Sequence, residues 1–168
     1  MSSPEVWQRG PLPGVDPYLM PAAHMLVQAS EDLAAAAELT PEQLRAQPGG
    51  VASVGFHLRH LAGATERLLT YARGRTLTPE QLVVAAAEAE ATEPADAALL
   101  VAAAREALEA ALAEMRATAR ERLLEPRAVG RQRLPSNVLG LLAHIGEHAA
   151  RHAGQIATTA RVVRAREG

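Results

Sequence analysis

The chain has 168 residues, 48% of them hydrophobic and 2% aromatic, with a formal net charge of −2. That near-neutral balance gives no electrostatic reason to expect nucleic acid or an anionic membrane as partner, and no apolar run approaches the roughly 18 residues of a membrane span. Cysteine is absent, which excludes disulfides, thiolate metal sites and a cysteine nucleophile, while the length suits one domain with a proper core.

Residues 1–16 hold Pro4, Gly10, Pro11, Pro13 and Gly14 and read as an irregular arm. Trp7, the single tryptophan, is expected to fasten that arm to the body. The opening MSSPEVWQRG lacks the basic-then-apolar order of a signal peptide, so a cytoplasmic protein is expected. Residues 17–168 read as one helical domain, since sequence rich in Ala, Leu, Glu and Arg favours helix throughout. The first long helix is expected from about Pro17 to Leu39, with Leu19, Ala22, Leu26, Ala29, Leu33 and Ala37 as its stripe. His24 lies opposite Leu26 on the wheel and reads as a surface or interface residue.

LTPEQL occurs at 39–44 and again at 77–82. In each copy Thr is a natural N-cap, Pro takes the first helical position, and Gln three residues after Thr completes a capping box. Thr40 and Thr78 should each start a short helix. The flanking residues do not match, which favours reuse of a good cap over a duplicated unit. Gly49 and Gly50 precede a second long helix, about Val51 to Arg73, with Val54, Leu61, Ala64 and Leu68 inward and Gly74 as its stop. An alanine-rich, acidic connector runs to Pro94. A third helix spans about Ala95 to Ala119, and Val101, Ala104, Leu108, Ala111 and Met115 form a bundle-like seam. Glu125 to Pro135 reads as a polar loop whose Arg131 and Arg133 are expected to face solvent, the alternative being that they meet an anionic substrate group. Ser136 or Asn137 then caps the fourth helix. With four long helices and no strand signal, the expected fold is all-α, a four-helix bundle with short extra helices in its connections.

Five of the six histidines fall in two helical clusters: His57 and His60 on the second helix, His144, His148 and His152 on the fourth. Residues four apart are turned about 40° and raised about 6 Å, so the three fourth-helix rings point broadly one way. His148 and His152 share the apolar face of Leu141, Ile145, Ile156, Thr159 and Val163, and buried rings need partners. One ion cannot take all three, because His144 and His152 stand about 12 Å apart along the axis. His144 with His148, or His148 with His152, can share an ion, and His60 or His57 can add a third nitrogen if the helices are neighbours. Three imidazoles plus water make an open, reactive site. The competing readings are a hydrogen-bonded histidine layer and a pH-sensitive core. Glu147 points about 100° from His148 and is expected to pair with Arg151, its alternative role being that of a metal ligand or general base beside the site. Gln155 shares the face of His152 and could hydrogen-bond a ligating imidazole, and Gly154 would allow close approach of a helix or substrate.

SVGFHLRHLAGATERLL on the second helix and HIGEHAARHAGQI on the fourth resemble the DinB/YfiT-like superfamily. Its pattern is a His near the middle of helix two and a His-x-x-x-His pair ending in His-x-Gly-Gln on a later helix. The matching positions are His60 in RHLAG, and His148 and His152 in EHAARHAGQ. The resemblance implies a four-helix bundle, commonly homodimeric, in which His60, His148 and His152 bind a divalent metal such as Zn or Ni. His57 and His144 depart from the pattern as extra imidazoles, either supporting donors or alternative ligands. The resemblance also implies chemistry on a small-molecule substrate. The leading expectation is transfer of a low-molecular-weight thiol, such as bacillithiol or mycothiol, to an electrophile; other relatives isomerise maleylpyruvate with a thiol cofactor. Without cysteine in the chain, the sulfur must be brought in. A metal-dependent hydrolase and a non-catalytic, stress-associated dimer are the alternatives.

Overall fold

A computed structural model describes residues 4–88 and 95–166. The last part of the acidic connector, residues 89–94, lies outside the described residues. Six helices and a small hairpin follow in order: α1 (Met20–Asp32), α2 (Pro41–Arg45), α3 (Val54–Ala72), α4 (Pro79–Ala87), α5 (Ala97–Ala117), β1 (Pro126–Val129), β2 (Leu134–Asn137) and α6 (Val138–Arg164). The expected all-α bundle is present. α1 packs on α6, α6 on α3, α3 on α5 and α5 on α1, so the four long helices form a closed ring. Of the consecutive long helices, α3 and α5 are neighbours in the ring, whereas α1 with α3 and α5 with α6 sit across its diagonals.

Local chemistry sets the helix limits. α1 begins at Met20 rather than near Pro17 because Pro21 has no N–H to donate back to Pro17. It continues into one 3₁₀ turn, Leu33–Ala36. α3 begins at Val54 because the Ser53 hydroxyl accepts from the Phe56 N–H at 3.1 Å. Both LTPEQL copies form complete capping boxes, at Thr40 with Gln43 and at Thr78 with Gln81. Asn137 caps α6, its side-chain oxygen accepting from Gly140 N at 2.7 Å.

The core is built from fully buried Leu19, Leu26, Leu33, Leu58, Leu61, Leu108, Met115, Leu142, Ile145 and Ile156, interleaved with buried alanines. Small residues let the helices approach closely. A Cβ on Gly146 of α6 would lie 2.8 Å from the Ala22 carbonyl oxygen of α1, so that crossing requires glycine.

Two expectations are corrected. The arginine-rich segment before α6 is an antiparallel hairpin pairing Pro126 with Asn137 and Val129 with Leu134. Four-residue strands are too short to show a clear alternation, and two prolines and three arginines obscured this one. The N-terminal arm is fastened by Val6, 2% exposed, and not by Trp7, 63% exposed. Val6 N donates to Gln28 of α1, whereas the Trp7 indole N–H turns to Glu5. His24 also holds the arm, its Nε2 lying 3.0 Å from the Gly10 carbonyl.

Candidate metal centre

The ring of helices makes α3 and α6 neighbours, so their histidines face one another. His60, His148 and His152 each offer a ring nitrogen, and the three atoms lie within 4.8 Å of one another. The ring centroids are 4.4 Å apart for His148 and His152, 4.9 Å for His60 and His152, and 5.2 Å for His60 and His148. Three nitrogens around one tetrahedral zinc stand roughly 3.4 Å apart, given bonds of about 2.0–2.1 Å. Small side-chain rotations would close the difference, and the three residues could hold a metal ion.

The protonation states suit that use. Burial, joined by the neighbouring charges of His60 and His144, pushes His148 down to about 4. Burial, followed by the charges of His148 and His60, pushes His152 down to about 3. Both rings are therefore neutral near pH 7, with lone pairs available. His148 Nδ1 is buried and has no hydrogen-bond partner among the described residues, a costly condition for a polar atom. A cation within the trio fits such a donor set.

The surrounding groups fix two of the rings. His152 Nδ1 lies 3.0 Å from His57 Nδ1, which leaves the His152 Nε2 for another partner. His57 is 6% exposed, and its own pKa is lowered by burial and then by His60. His60 Nδ1 donates to Glu88 Oε2 at 2.9 Å, leaving its Nε2 open in the same way. Glu88 follows α4 directly, is 7% exposed, and accepts from Arg67 Nη1 and Nη2 at 2.5 and 3.1 Å. Sequence reasoning missed Glu88, which lies 28 residues from His60 within an acidic stretch; the second LTPEQL cap was the available signal that a helix would deliver it.

The remaining candidates lie outside the trio. His144 is exposed and sits 3.2 Å from Glu147, its Nδ1 toward Oε2. It does not share the buried setting of His148 and His152, although all three rings are expected from their spacing to point broadly one way, because the 80° it lies behind His152 carries it to the helix edge. Glu147 is exposed and binds Arg151 through Nε at 2.9 Å and through Nη2. Gln155 is exposed and makes no hydrogen bond to an imidazole among the described residues. The supporting contact anticipated for it at His152 is made by His57 instead. Gln155 lines a cleft of about 690 Å³ with Val51, His57, Arg151, Thr158 and Val162. Arg131 and Arg133 are at the hairpin turn and exposed.

A family model described as the DinB superfamily matches residues 25–156, a span that includes all five clustered histidines. No curated protein gives a significant match to the chain.

Proposed function

Because the chain belongs to the DinB superfamily, we propose that it is a metal-dependent enzyme that transfers a low-molecular-weight thiol to a small electrophile. The observation that carries this reading is the convergence of three imidazoles, His60, His148 and His152, from two adjacent helices. A divalent cation held there supplies positive charge that favours thiolate over thiol near neutral pH. The chain does the rest. Glu88 and His57 orient the rings of His60 and His152, and the apolar face of α6 around Ile145 and Ile156 excludes water behind them. The cleft beside His57 offers the Arg151 guanidinium, the Gln155 amide and the Thr158 hydroxyl to a polar thiol, with Val51 and Val162 as apolar walls. In the reaction the thiol gives its proton to solvent, a sulfur–carbon bond forms, and the electrophile's leaving group departs with its electron pair. Family membership also supports a homodimer, which light scattering measures directly.

The test begins with elemental analysis of protein purified without a histidine tag. The metal-loaded protein is then incubated with several biological thiols and 1-chloro-2,4-dinitrobenzene. The expected result is thiol-dependent turnover that disappears in His60→Ala, His148→Ala and His152→Ala. No rate above the metal-free control sinks the transferase reading. Metal-dependent turnover of ester substrates without any thiol replaces it with hydrolysis.

A further inference from the structure

A buried carboxylate is expensive unless it is paired and hydrogen-bonded. Glu88 meets that requirement with three contacts, two from Arg67 and one from His60. Both partners are on α3, while Glu88 arrives from α4, a third element beside the two that carry the histidines. Its seat exists because residue 63 has no side chain: a Cβ on Gly63 would overlap Glu88 Oε1 and lie 3.2 Å from its carboxyl carbon.

α4 itself is weakly held. No residue within Pro79–Ala87 is buried, and Leu82, Val83 and Val84 are 46%, 69% and 54% exposed. A nine-residue helix has little stability of its own. Its outer end is tied to α3 by the Gln81 amide, which donates to Glu66 and Thr70 at 3.0 and 2.9 Å. Its inner end is tied by Glu88 alone among the described hydrogen bonds.

We propose that Glu88 is a positioning residue for the three-histidine centre, and that through it the docking of α4 is linked to metal binding. The proposal rests on the metal reading given above. By accepting from His60 Nδ1, the carboxylate fixes the ring's orientation and tautomer and presents Nε2 to the other histidines. A cation held by the three histidines would withdraw electron density from the His60 ring and make its Nδ1–H a stronger donor, so binding would tighten the Glu88 contact. Linkage is reciprocal: whatever loosens α4 weakens the cation, and the cation steadies α4.

The experiment titrates the full-length chain with zinc against a chromophoric chelator and follows hydrogen exchange across Pro79–Ala87 with and without zinc. Wild type is expected to bind zinc and to gain protection in α4. Glu88→Ala should bind about 10- to 100-fold more weakly and show no gain in α4 even at saturating zinc. Gly63→Ala keeps the carboxylate but occupies its seat, so it should move both readouts the same way; it also covers the case in which Glu88→Ala fails to fold. A zinc affinity in the variants within twofold of wild type, or an undiminished gain in α4 protection, overturns the proposal while leaving the metal centre standing. Wild type that binds no zinc overturns both.

Discussion

His57 of α3 and His152 of α6 meet nitrogen to nitrogen, Nδ1 to Nδ1 at 3.0 Å, in the interior of the bundle. Such a bond holds a single proton: one ring donates and the other accepts, so the two rings cannot both be imidazolium without breaking it. The contact ties the two histidine-bearing helices together and makes their packing sensitive to acid.

The metal-free protein should therefore lose stability as pH falls. His148 and His152 have folded pKa values of about 4 and about 3, below the ordinary 6.5. The unfolded chain binds more protons between those limits, so stability is full above about pH 6.5 and declines toward pH 3–4. Thermal melting should show a Tm lower by about 10 °C at pH 5 than at pH 7. A His148→Leu/His152→Leu double variant should flatten that slope. A wild-type Tm that is level from pH 7 to 5 would mean the rings are not held neutral.

Two glycines on α6 should respond in opposite directions to alanine. Gly146→Ala drives a methyl group against the Ala22 backbone of α1 and should cost about 1–3 kcal/mol in urea unfolding. Gly154 is exposed, and a Cβ there would meet no heavy atom within 4 Å, so Gly154→Ala should gain about 0.5–1 kcal/mol through helix propensity. Equal effects at the two sites would contradict the close α1–α6 crossing.

The two identical LTPEQL caps should also behave differently. α2 buries Gln43 and Leu44, so Thr40→Ala should lower global stability by about 1 kcal/mol. α4 buries nothing between Pro79 and Ala87, so Thr78→Ala should speed local hydrogen exchange there while leaving the global transition nearly unchanged. A matched loss of global stability in the two variants would show that α4 is part of the cooperative core.

The parts of the molecule that are legible in the sequence are those governed by short-range rules. Thr40, Thr78 and Asn137 cap helices because each side chain answers an N–H three residues away. The seam of Val101, Ala104, Leu108, Ala111 and Met115 is buried as its spacing requires. The parts that are not legible depend on which elements become neighbours. His57 finds a partner 95 residues away and His60 one 28 residues away, and nothing in the spacing of Glu88 distinguishes it from the other acidic residues of its stretch. His144 and Gln155 share a period with buried neighbours, yet both stand at the edge of the stripe, where rotation of the whole helix decides between water and interior.

The hairpin before α6 has its base clamped to the bundle: Val138 N donates to the Glu125 carbonyl and Leu139 N to the Leu123 carbonyl, at 3.2 and 2.8 Å. The chain thus leaves and returns at almost one point, and the far tip at Gly130–Arg133 can be lengthened with little entropic penalty. That makes the tip a natural graft point for an epitope or a fluorophore-binding peptide, through which the protein can be tracked or immobilised with both histidine-bearing helices left as they are.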